Sequence, residues 1–197
     1  MVVWHRGWMD LRSWVLADHG TSLQRLERQV LDRVPPDRWP ERADGGGNSI
    51  GWGVLHAWYH QDVALSVARG IDPLMTARRD SLGLAGFAPV VGMGEAEVDG
   101  TIVAVDPDRL LAYVRHVHAR TAEWLADVDL GLFDTLPAAS SGLAELAGIE
   151  RDDADWLHDM WTDKPVGWFV QWECVGHGHT HVGEMLSVRN RLGLSPF

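Results

Sequence analysis

Between Asp106 and Val128 the positions Leu110, Val114, Val117, Thr121, Trp124 and Val128 fall at alternating steps of four and three. That spacing matches the 3.6-residue turn of an α-helix and leaves one stripe of the segment facing a core. Asp106-Pro107 opens the segment, with proline preorganised for a first helical turn. Three further segments carry comparable signals. The first runs from Met9 to Val34, with Leu16, Leu23, Leu26, Val30 and Val34 on its stripe and Pro35-Pro36 as a firm stop. The second begins after Gly45-Gly46-Gly47, where Asn48 or Ser49 can cap it, and reaches about Arg69 before Gly70. The last extends from Val166 to Leu192, ends before Gly193, and is apolar on more than one side, as a helix buried among others would be. The expected fold is all-α: an up-down-up-down four-helix bundle with long elaborated connections, one domain over residues 1–197.

The two connections are long. Residues 71–105 bear several glycines and the β-branched run Thr101-Ile102-Val103-Ala104-Val105, which predicts a short strand. Residues 129–165 contain Asp152 to Trp161, which reads as a short extra helix rich in acid and tryptophan. Loops of such length are rare inside compact domains unless they form lids or binding loops.

Composition narrows the class. The chain has 197 residues, 46% hydrophobic and 23% charged, enough for a substantial core. Its formal net charge of −11, without a run of Lys or Arg, argues against nucleic acid as a partner. A single cysteine rules out an internal disulfide framework and fits a reducing compartment. Asp10, Arg12 and Asp18 interrupt the first apolar stretch, unlike a signal peptide, and no window approaches the ~18–20 apolar residues of a membrane span. A cytoplasmic protein with no membrane partner is expected. The eleven tryptophans are read mostly as heavy core residues, though exposed ones would support a homodimer.

The residues that carry chemistry are histidines. His177 and His181 stand four apart, which on a helix sets both imidazoles on one face, about 6 Å apart. They share that face with Val170, Cys174, Met185 and Val188. On the second helix, His56 shares its face with Trp52, His60, Val63 and Val67. An imidazole on an inward face must be hydrogen-bonded or metal-bound. Unrelated core or surface histidines would explain any one of these residues alone. The four-residue step, with a partner on another inward face, favours a joint site. His60 is a fourth ligand or, by preference, a core or ligand-supporting residue. Cys174 is a thiolate ligand or, by preference, a small buried hydrophobe. Glu184 orients a ligand, meets substrate or makes a surface salt bridge. His179 points away, and His5, His19, His116, His118 and His158 show no partner pattern.

Two blocks resemble the DinB/YfiT-like superfamily of metal-dependent helical bundles. Ser49-Ile50-Gly51-Trp52-Gly53-Val54-Leu55-His56 is similar to its second-helix signature, which ends in a ligand histidine. His177-Gly178-His179-Thr180-His181-Val182-Gly183-Glu184-Met185 is similar to its last-helix H-x-x-x-H followed by a small residue and Glu or Gln, and Arg189 to Gly193 resembles its helix end. The resemblance implies a four-helix bundle and a three-histidine divalent metal site made here by His56, His177 and His181. The family includes bacillithiol and mycothiol S-transferases and a mycothiol-dependent maleylpyruvate isomerase. The two long connections depart from its compact members.

Three neutral imidazoles leave a divalent ion with open positions, as in catalytic sites. Such an ion can bind a thiol and lower its pKa. The chain has no G-x-S-x-G or C-x-x-C nucleophile of its own. The leading expectation is a metal-dependent enzyme that activates a low-molecular-weight thiol, of mycothiol type, for S-transfer to or isomerisation of a small electrophile. Zinc is preferred on availability, with nickel or iron as alternatives. A non-catalytic metal- or ligand-binding stress-response bundle and a metal-assisted hydrolase are the competing classes. Stretches 83–100 and 156–172 are the candidate walls of the substrate pocket.

Overall fold

A computed structural model describes residues 10–87, 91–92 and 95–197, and among them every regular element is helical. The long elements stand close to where the sequence sets them. Helix α1 (Leu11–Arg25) starts on Asp10, whose carboxylate accepts from the Ser13 amide, and continues through a wider π-helical stretch, Leu26–Leu31, to the Pro35-Pro36 stop. Its expected start at Met9 lies outside the described residues. Helix α2 (Ile50–Arg69) is capped by the Ser49 hydroxyl on the Trp52 amide and closes on Gly70 in the left-handed conformation that glycine adopts without strain. After α3 (Leu74–Arg78) and α4 (Glu95–Ala104), helix α5 (Pro107–Asp127) opens on the Asp106 cap.

The remaining elements are α6 (Ala139–Ala147), α7 (Asp155–Trp161) and the last helical run. That run begins as α8 (Val166–Trp168), widens to a π-helical stretch at Phe169–Gly176, and returns to α geometry as α9 (His177–Arg191).

One expectation is overturned. Thr101 to Val105 is not a strand but the end of α4 and the residue just after it. On a strand, Thr101, Val103 and Val105 would share a face. Instead Val103 is 73% exposed, while Val98, Thr101, Ile102 and Val105 are buried at helical steps. Packing an apolar stripe at that period outweighed the β-preference of branched residues. Helix α6 was not anticipated at all.

Helix α2 is the centre of the molecule. From Ile50 to Val67 every residue but His56 is buried, and α2 packs against α9, α5, α6 and the π-helical stretch before α9. Gly51 permits this closeness: a Cβ there would lie 2.8 Å from Ile102 Cγ2 and 3.4 Å from the Trp39 carbonyl oxygen. Burial also makes partners valuable to the polar groups on α2, and Asp62 and Gln61 find theirs on the neighbouring elements. The Asp62 carboxylate accepts from the Leu74 and Met75 amides, at 3.0 and 2.9 Å, and from the Tyr113 hydroxyl at 3.0 Å, joining α2 to α3 and α5. The Gln61 amide donates to Thr121 Oγ1 and His19 Nε2, both at 2.8 Å, joining α2 to α5 and α1. His19 stacks on His118 with ring centroids 3.9 Å apart. Burial, then the neighbouring His118 and His179, holds His19 down to about 3. Burial likewise lowers His118 to about 4, against a smaller opposing pull from Glu27.

Two predictions follow from this packing. Gly51→Ala should destabilise the protein by about 1–3 kcal/mol through overpacking against a β-branched side chain. Gly20→Ala, in α1 with nothing within 4 Å of the added carbon, should stabilise it by up to ~1 kcal/mol. Urea midpoints at a common slope measure both. The second concerns acid. His19 and His118 are folded in the neutral form, so below their unfolded value of 6.5 the unfolded chain binds more protons than the native one. Stability is therefore full above about pH 6.5 and declines as pH falls toward about 3, the lower of the two folded values. His118→Gln should flatten that slope. An unchanged slope in the variant would remove the pair from the account.

Candidate metal centre

His56 comes from the middle of α2, and His177 and His181 from the first turns of α9. The crossing of α2 and α9 brings all three together: ring centroids are 5.1 Å apart for His56 and His177, 4.7 Å for His56 and His181, and 4.4 Å for His177 and His181. One nitrogen from each lies within 4.8 Å of the others. Gly53 helps set this distance, because a Cβ there would sit 2.9 Å from Met185 Cγ on the facing helix.

Hydrogen bonds define the faces of these rings. His181 Nδ1–H donates to Glu184 Oε2 at 2.7 Å, which leaves Nε2 with its electron pair toward the cluster. The contact is a carboxylate–histidine pair of the kind found behind metal ligands and also an i,i+3 pair at the helix surface, with Glu184 half exposed. His181 Nε2 lies 2.9 Å from His177 Nε2. With the His181 proton on Nδ1, the proton between the rings belongs to His177 Nε2, and a cation taking that place would displace it. Burial, then His60 and His181, depresses His177 to about 2, so its ring is neutral near pH 7. Neutral imidazoles on an inward face are the donors a divalent ion of the zinc, nickel or iron class requires. The residues fit the group.

Other candidates separate clearly. His179 contacts Asp18 and Arg25 on the α1 side, away from the cluster. His158 is bonded on both nitrogens, to Ser140 Oγ and the Ile149 carbonyl, each at 2.9 Å, and is structural. His116 faces Arg78 at the surface, and His5 lies outside the described residues. Cys174 is buried, its thiol pushed well up by burial and by Glu173, and it joins neither of the candidate ligand groups found among the described residues. It is the small buried hydrophobe.

Sequence reasoning missed Glu173. It stands four before His177, is 1% exposed, and holds Oε2 3.5 Å from both His60 Nδ1 and His177 Nδ1. The four-residue series Glu173, His177, His181 was visible, but a carboxylate in such a series reads first as a solvated residue. Tryptophans enclose the cluster. Trp52 stacks on His56 at 5.4 Å, Trp156 lies 6.4 Å from His60, Trp161 6.5 Å from His60, and Trp172 6.0 Å from His177. Three of them come from the 156–172 segment. Of the 83–100 stretch, residues 88–90 and 93–94 lie outside the described residues, while the Val91 carbonyl reaches His60 Nε2 at 3.2 Å. None of the helices among the described residues is long and apolar enough to cross a membrane.

In comparison with known proteins, no curated protein matches the chain. A family model described as the DinB superfamily matches residues 21–185, a span that contains both histidine blocks and all four long helical segments in whole or large part. With that match over most of its length, the chain belongs to the DinB superfamily.

Proposed function

We propose that this chain is a metal-dependent enzyme whose divalent ion, zinc by preference, is held by His56, His177 and His181, and that it activates a low-molecular-weight thiol for S-transfer to or isomerisation of a small electrophile. The observation that carries this reading is the convergence of three imidazoles with Glu184 fixing the tautomer of one. When bound, the ion supplies an acidic centre at which a thiol gives up its proton near neutral pH. The remaining work belongs to the chain. His56, from α2, closes a ligand set that α9 supplies only in part. Glu184 keeps His181 Nε2 free of its proton. Trp156 and Trp172, both with open surface, form an apolar wall against which an electrophile can lie.

The nucleophile comes from outside in this reading. Cys174 is buried, and its raised pKa keeps it a thiol. The superfamily resemblance points the same way, since it includes enzymes that use bacillithiol or mycothiol. We read the four long helical segments as an up-down-up-down bundle with α2 and α9 carrying the site, and the two long connections as the source of the substrate walls.

The first test is elemental analysis of protein purified without a metal-affinity tag. His56→Ala should lose about one equivalent of metal per chain and all thiol-dependent turnover of a general electrophile. Cys174→Ala should keep both. Unchanged metal content in His56→Ala would refute the ligand set. Metal bound without turnover across several thiols would move the reading to a sequestration bundle or a hydrolase. A separate prediction concerns Glu184. Replacing it with glutamine should weaken metal affinity by about 10-fold or more through the loss of its hold on His181, with the helix content unchanged. Competition against a chromogenic chelator reads this directly.

A further inference from the structure

Behind the three-histidine cluster lies a second group of ligand-type atoms: His60 Nδ1, Glu173 Oε2 and His177 Nδ1, all within 4.8 Å of one another. None of the three has a hydrogen-bond partner, and each is shielded from solvent. We propose that His60, Glu173 and His177 form a second divalent-cation site, stacked one helical turn behind the first, with His177 presenting Nε2 to one ion and Nδ1 to the other. The inference shares His177 with the site proposed above but stands on its own geometry.

Protons are placed by the neighbours. His60 Nε2 faces the Val91 carbonyl oxygen at 3.2 Å, and a carbonyl can only accept, so Nε2 carries the hydrogen. His60 Nδ1 therefore turns an electron pair toward Glu173 Oε2. His177 Nε2–H bonds to His181, so His177 Nδ1 does the same. The carboxylate is pinned from the other side: Trp161 Nε1 donates to Glu173 Oε1 at 2.8 Å and leaves Oε2 as the inward atom. Three ligand-type atoms thus lie within 4.8 Å of one another in a pocket with side-chain exposures of 3% for His60, 0% for Glu173 and 12% for His177. Such an arrangement is repulsive unless a cation lies among them.

The separations say which cation. Both nitrogens are 3.5 Å from Glu173 Oε2. A shared proton would draw a charged pair to about 2.7–2.9 Å. Two ligands on one tetrahedral ion with bonds of about 2.0–2.2 Å stand roughly 3.4 Å apart. Two imidazoles and one carboxylate suit zinc or cobalt and disfavour magnesium and calcium, which take oxygen donors. With both ions bound, His177 bridges them as imidazolate, its last proton passing to solvent. Enclosed by α2, α7 and the π-helical stretch, the inner ion holds His177 in place and is not a second reaction centre.

The test is stoichiometric. Tag-free, chelator-stripped full chain is titrated with zinc, and bound metal is measured after equilibrium dialysis, with circular dichroism recorded on every variant. Wild type should bind two equivalents. Glu173→Gln and His60→Ala should each bind one, His56→Ala one, and His177→Ala less than one. Glu173→Gln is isosteric, so it keeps the test informative should His60→Ala fold poorly. One equivalent in wild type, unchanged by Glu173→Gln and lost in His56→Ala, would overturn the inner site while leaving the outer one standing. One equivalent lost in Glu173→Gln and kept in His56→Ala would uphold the inner trio and refute the outer ligand set. In the doubly loaded cobalt form, magnetic coupling between the two ions should appear, and its absence at two equivalents would overturn the bridging role of His177.

Discussion

A helix buried on nearly every side cannot send a polar side chain to water, and α2 is such a helix. Its polar groups therefore dictate what the surrounding elements must supply. Asp62 requires the amides at the start of α3 and the hydroxyl of Tyr113 on α5. Gln61 requires Thr121 on α5 and His19 on α1. His60 takes the Val91 carbonyl on one nitrogen and faces Glu173 with the other. His56 meets the two α9 histidines. An unsatisfied buried group costs ~1–3 kcal/mol, so these pairings fix which neighbour stands against which turn of α2 more sharply than apolar contact alone. The fold and the candidate site come from the same demand.

Much of this was legible in the sequence because the signals were local. Of the two expected caps, Asn48 and Ser49, it is Ser49 that caps α2; α5 opens at Asp106-Pro107 as expected, and Gly70 ends α2 in the conformation for which glycine is suited. The meeting of His56 with His177 and His181 was legible for another reason: two inward faces at helical spacing leave few ways to pack. Thr101 to Val105 misled because intrinsic preference and burial disagree there, and burial prevailed. The stacking of His19 on His118 could not be read, because nothing in either helix names the other as its partner.

Glu173 was missed through a rule that usually holds. Carboxylates on helices face water, and an acidic residue beside apolar neighbours is set aside as surface. Here the run from Phe169 to Gly176 is π-helical, and both Glu173 and Cys174 are buried within it. Wider turns of this kind are rare and recur at functional sites. In this chain the wide turn ends where the histidine pair begins, at His177, and puts a carboxyl group behind that ring. A continuous α-helix would place the same residues at other angles, so the wide turn and the buried carboxyl group belong together.

Charge bears on the reactant proposed for this site. The chain carries a formal −11, a field that draws cations in and discourages anions. A free thiolate is thus a poor visitor, whereas a thiol near pH 7 is mostly protonated and neutral, its ordinary pKa being about 8.5. In the proposed reaction such a thiol would reach the tryptophan-walled cluster uncharged and lose its proton only there. The chain's own sulfur illustrates the contrast. Cys174 is buried in the helix that carries the histidines, yet burial and the adjacent Glu173 raise its pKa and keep its proton on. The same kind of burial that holds His177 neutral near pH 7 keeps Cys174 a thiol, so in the proposed reaction the nucleophile comes from solution.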